Sequence, residues 1–151
     1  MKSFIKTWTW LLALACLGAG NPLLAAPADS KPFAEKKIVL QISDEDAYKQ
    51  TLVLNVASNL IKHYGPDRVD VEIVAFGPGL RLLFADNSNT GRIDRLAADS
   101  GVRFSACMNT MSKMTKALGH EPKLNKDSNP VQAGVVRIIE LVDQGYILIK
   151  P

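Results

Sequence analysis

Cys107 is the residue around which chemistry can be organised. It ends the apolar run Gly101-Val102-Arg103-Phe104-Ser105-Ala106-Cys107 and opens a helix-forming run through Met108-Asn109-Thr110-Met111. A thiol between a strand end and a helix start lies among free backbone amides and the positive helix end, which favour the nucleophilic thiolate. Asn109 and Thr110 stand where they can cap the helix or hydrogen-bond a sulfur species bound to the cysteine. No second cysteine forms a CxxC pair, which disfavours a dithiol that resolves its own disulfide. A cysteine hydrolase needs a base, but of the two histidines His63 is remote in sequence at a helix end and His120 follows Gly119, about a helix length from Cys107. Two readings stay open on residue chemistry: a thiol that holds sulfur or forms a mixed disulfide, and a buried cysteine at a strand end, since cysteine is among the most buried residue types.

The amino end decides the thiol count. Lys2 and Lys6 form a positive region, Trp8 to Gly20 is apolar but short for a membrane span, and the small residues Ala25, Ala26 and Ala28 follow. Residues 1–28 therefore read as a signal peptide cleaved near 26–28, which implies a periplasmic or secreted protein with no stable membrane anchor after cleavage. Cys16 leaves with it, and Cys107 is then an unpaired thiol in an oxidising compartment. Residues 29–36 read as a flexible linker, and 37–151 as a single domain.

That domain must place Cys107 with a regular α/β pattern. Ile38-Val39-Leu40-Gln41-Ile42 is a near-continuous apolar run, as suits a strand covered on both faces. Ser43 stands three residues ahead of Asp46, which predicts a hydroxyl cap, and Leu52, Val53, Val56, Ala57, Leu60 and Ile61 give a helical stripe. Val69 to Phe76 alternates and then turns apolar, predicting a second strand that ends at Gly77-Pro78-Gly79. Leu80 to Phe84 reads as a helical turn and Thr90 to Asp99 as a helix.

Val102 to Cys107 is the third strand, and Met108 to Leu118 the helix after it. Its methionines are ordinary core packing at helical spacing, so no metal site is assigned. His120 to Pro130 is polar, predicting a loop with at most a short pairing element near Val131. Ala133 to Val142 is helical, with Val135, Ile138, Ile139 and Val142 expected inward, and Tyr146 to Ile149 is the last strand.

This order predicts an open α/β sandwich whose ligands sit outside the carboxyl ends of the strands. Ser43, Gly77, Gly79, Arg81, Asn109 and Thr110 are the substrate-binding candidates around Cys107. Gly77 to Gly79 lacks the lysine and hydroxyl of a phosphate loop. The chain has 18 basic and 15 acidic residues, and loss of Lys2 and Lys6 brings the domain close to neutral. No basic run interleaved with aromatics is present, so nucleic acid is not an expected partner.

Gly101-Val102-x-Phe104-x-Ala106-Cys107-x-Asn109-Thr110-Met111, followed by Ala133-Gly134-Val135-Val136-Arg137-Ile138-Ile139-Glu140-Leu141, Gln144-Gly145-Tyr146 and Lys150-Pro151, resembles the DsrE and DsrF sulfur-relay family, and its exported branch more closely. The resemblance runs from about Lys37 to Pro151. It implies a three-layer α/β/α sandwich with a mainly parallel sheet of about five strands, assembled as a homotrimer or homohexamer. It also implies that Cys107 carries sulfane sulfur as a persulfide between donor and acceptor proteins, without a cofactor. The stretch before the last helix is more polar here than is usual for the family. The relay partners of cytoplasmic members do not transfer directly to an exported protein. The alternative is a noncatalytic oligomeric module that binds a small ligand or a protein, with Cys107 structural. A carrier or binding role is favoured over a turnover enzyme.

Overall fold

The computed structural model describes residues 31–151; the expected signal peptide and the first residues of the expected linker lie outside them. The elements are β1 (Lys36–Ile42), α1 (Ala47–Tyr64), β2 (Val69–Ala75), a 3-10 segment (Gly77–Leu83), α2 (Thr90–Ser100), β3 (Arg103–Cys107), α3 (Met108–Leu118), β4 (Ser128–Val131), α4 (Gly134–Asp143) and β5 (Ile147–Ile149). The five strands form one sheet in the order β4-β3-β2-β1-β5, and each neighbouring pair is parallel. The chain thus adopts the three-layer α/β/α sandwich with a five-stranded parallel sheet.

Side chains alternate across a strand, so each strand feeds two different layers. Ile38, Leu40, Ile42, Val71, Ile73, Ala75, Phe104 and Ala106 meet α1, the 3-10 segment, α2 and α3 through Val53, Leu54, Leu80, Leu83, Ile93 and Met111. Val39 and Val74 point the other way and meet α4 through Ile138 and Leu141, with Tyr146. Burial of each such aliphatic side chain contributes about 1.5–3 kcal/mol. The layer is thick on one face and a single helix on the other.

Several expectations are corrected. Asp46, not Ser43, caps α1: its carboxylate accepts the Lys49 N–H at 2.9 Å. Asp70 and Glu72, for which the sequence made no assignment, do not reach solvent, because β2 is the central strand and is buried along its whole length. Val135, Ile139 and Val142 of α4 are exposed, and Gly134, Ile138 and Leu141 face the sheet instead. The short pairing element expected near Val131 is β4. Pro130 fits there because an edge strand tolerates a missing N–H.

Lys31 and the Glu35 N–H, in the stretch expected to be a linker, are tied to the domain. The Lys31 ammonium donates to the carbonyls of Pro66, Val69 (3.2 Å) and Ser100 (2.5 Å). Among the described residues, no helix is long and apolar enough to cross a membrane.

Candidate functional site

The carboxyl ends of β1, β2 and β3 converge because their register is in step. Ile42 pairs with Ala75, and Ala75 with Ala106, so Ser43, Phe76 and Cys107 follow at one end of the sheet. Gly79 makes this convergence possible. A Cβ there would lie 2.5 Å from the Ile42 carbonyl oxygen and 2.8 Å from the Ser43 Cα, so the chain after β2 can cross the end of β1 only with glycine. Gly77 has φ +54° and faces the Ser43 carbonyl.

Cys107 is the last residue of β3 and the N-cap residue of α3. Its side chain shares the sheet face of Arg103 and Ser105, which is the face under α4. It therefore meets a second helix start. A Cβ on Gly134, the first residue of α4, would lie 3.3 Å from the Cys107 Cβ and 3.0 Å from the Phe76 Cβ. The sulfur is enclosed by the amino ends of α3 and α4 together, and Cys107 is only 5% exposed.

Two effects oppose each other on the thiol. Burial is the larger single influence and pushes its pKa up; hydrogen bonding from the Thr110 hydroxyl and from the N–H groups of Gly134, Thr110 and Asn109 together outweighs it. The net result is a thiol held below its ordinary range. Cys107 makes no side-chain cap bond to α3. Thr110 is itself fixed: its Oγ accepts the Gly77 N–H at 2.9 Å. The Asn109 N–H donates to the Gln132 carbonyl at 3.1 Å, joining α3 to the segment before α4.

Of the candidate residues, Thr110, Gly77, Gly79 and Ser43 gather at the strand ends with Cys107. Asn109 is exposed and lines a cleft of about 430 Å³ with Val131, Gln132, Ala133, Val136, Arg137 and Glu140. Arg81 is not brought to the cysteine. It pairs with Glu45 at 3.0 Å on the surface and lines another cleft, with Phe84, Asp86, His120 and Lys123. Among the described residues, no group of three or more His, Cys, Asp or Glu side chains is placed to hold a metal ion.

A buried ionic cluster beside the cysteine escapes the sequence reading. Glu72 receives Arg137 as a fork, Nε to Oε1 at 2.7 Å and Nη2 to Oε2 at 2.8 Å, together with the Ser105 hydroxyl at 2.6 Å and Arg103 Nε at 3.0 Å. Arg103 also donates to Asp70 at 2.7 Å and to the Tyr146 hydroxyl at 2.8 Å, and Tyr146 donates to Asp70 at 2.5 Å. Burial is the largest influence on Glu72 and raises its pKa, but the Arg137, Ser105 and Arg103 contacts bring it below the ordinary carboxylate value. Burial and the Asp70 bond push Tyr146 up to about 12, so it stays a donor. The available signal was two carboxylates at strand spacing, Asp70 and Glu72, with Arg103 and Arg137 further on. Nothing in that spacing alone distinguishes a half-exposed strand from a central one.

No family model matches the chain, and no curated protein matches it either. Among solved structures it is similar to a protein of unknown function, MTH1491, from Methanobacterium thermoautotrophicum. The two are 27% identical with a TM-score of 0.68, over 78% of this chain and 100% of that one. This likeness supports a DsrE/DsrF-like fold family, and the three layers and parallel five-stranded sheet described above match that architecture.

Proposed function

We propose that this protein is a periplasmic DsrE-like sulfur carrier, with Cys107 as the residue that accepts and donates sulfane sulfur. The observation that carries the reading is the placement of the Cys107 sulfur between the first turns of α3 and α4, where the Thr110 hydroxyl and the Gly134 N–H favour its thiolate. The periplasmic address is supported by the leader-like pattern of residues 1–28.

The chemistry is balanced without a cofactor. The Cys107 thiolate attacks the outer sulfur of a donor persulfide, R–S–SH; the donor S–S bond breaks, R–S⁻ leaves, and Cys107–S–SH forms. An acceptor thiolate then takes the outer sulfur by the same exchange and regenerates the Cys107 thiolate. A cleft lined by Asn109, Gln132 and Val136 lies beside the starts of α3 and α4. Assembly into a trimer or hexamer is part of the proposal, supported by the motif resemblance and by the exposed apolar residues Val135, Val136, Ile139 and Val142 on the outer side of α4.

One observation favours the second reading, a noncatalytic binding module: Cys107 is 5% exposed. Incubation with a low-molecular-weight persulfide, followed by desalting and cyanide treatment, separates the two. A carrier releases thiocyanate in proportion to protein, and the Cys107→Ser variant releases none. No thiocyanate from the native protein would leave the binding module as the better account.

A further inference from the structure

We infer that Arg137 is a positioning residue for Cys107, its forked clamp on buried Glu72 holding the first turn of α4 against the sulfur. This rests on the reading of Cys107 as a thiolate nucleophile and concerns what sets its ionisation.

The geometry runs from strand to helix to sulfur. Glu72 belongs to the central strand and has no exposed surface, so its position is fixed by the sheet. Arg137 lies three residues after Gly134, one helical turn on, so the two project from the same side of α4. The two bonds of the fork, 2.7 and 2.8 Å, set both the distance and the rotation of that turn over β2. Gly134 is then pressed onto Phe76 and Cys107, in a space that no Cβ would share comfortably. The Gln132 carbonyl, held by the Asn109 N–H, fixes the chain just before the same turn.

The clamp acts through position more than through charge. The charged groups on the elements around Cys107 are Asp70 and Glu72 on β2, Arg81 on the 3-10 segment, Arg103 on β3, Arg137, Glu140 and Asp143 on α4, and Lys113 and Lys116 on α3; β4 carries none. Asp70, Glu72, Arg103 and Arg137 pair as two anions and two cations, and Glu140 lies 3.7 Å from Arg137 at the rim. What Arg137 supplies is the approach of a helix start and its amide to the thiolate, an interaction that falls off within the first turn.

The test keeps the charges and removes the fork. Arg137→Lys replaces a planar fork by a single ammonium, and Glu72→Asp shortens the acceptor by one methylene. Cys107 ionisation is followed as thiolate absorbance against pH, taken as the difference from a Cys107→Ser protein in the same background. Circular dichroism identifies the variants that fold. In each folded variant Cys107 is expected to titrate about one pH unit higher than in the parent, a roughly tenfold loss of thiolate at a fixed lower pH. A folded variant that titrates with the parent overturns the inference. Absence of a persulfide adduct on a parent whose titration is shifted by these variants would sink the carrier reading while leaving the positioning role intact.

Discussion

The Thr110 hydroxyl accepts the Gly77 N–H at 2.9 Å, which ties the first turn of α3 to the turn that follows β2. Accepting from Gly77 leaves the hydroxyl proton free to serve the Cys107 sulfur. One side chain thereby links the end of the central strand to the thiol.

Thr110→Val removes that donor and leaves the Gly77 N–H without its partner, whereas Thr110→Ser retains both bonds. The valine variant is expected to lose about 1–3 kcal/mol of stability in urea and to raise the pH at which Cys107 alkylates. The serine variant should stay near the parent in both. Equal alkylation profiles for valine and parent would show that the hydroxyl does not act on the sulfur.

Gly134→Ala sets two effects against each other. Alanine in place of glycine favours a helix by up to about 1 kcal/mol. Here the added Cβ would stand 3.0 Å from the Phe76 Cβ, an atom that side-chain rotation cannot move, and 3.3 Å from the Cys107 Cβ. Overpacking of this kind costs about 1–3 kcal/mol, so a net loss of about 1 kcal/mol is expected in equilibrium unfolding. A stabilised alanine variant would mean that α4 is not pressed onto the cysteine.

Glu72 contributes an acid-labile part of the stability. Its folded-state pKa lies below the ordinary 4.5, so its contribution is present above that pH and is lost as pH falls through the lowered value. Glu72→Gln leaves Arg103 and Arg137 with one fewer buried anion, and removal of one partner from such a pair costs about 3–5 kcal/mol. The expected result is a protein less stable at neutral pH whose stability falls less steeply below pH 4.5 than the parent's. An unchanged acid limb would remove Glu72 from this role.

The sequence made the frame of the site legible where one pattern had one solution. The apolar run Ile38 to Ile42 could only be a covered strand, and Cys107 was placed at a strand-to-helix junction by an apolar run followed by helix formers. Where two solutions fitted, tertiary context chose. Helix α4 has a wide apolar face, so Val135, Ile138, Ile139 and Val142 made one acceptable stripe and Gly134, Ile138 and Leu141 another. Arg137, anchored on Glu72, fixes the second. Ser43 and Asp46 are both good caps, and α1 begins after Asp46. Gly134 carried no signal of its own as a neighbour of Cys107, because the two are 27 residues apart in sequence and meet only in the folded sheet.

Mass spectrometry of the intact protein after exposure to a persulfide donor tests the central claim most directly. The expected result is a gain equal to one sulfur atom, located on Cys107, removed by an acceptor thiol and absent from Cys107→Ser. A native protein that gains no sulfur under conditions that load a free low-pKa thiol would contradict the carrier role of Cys107.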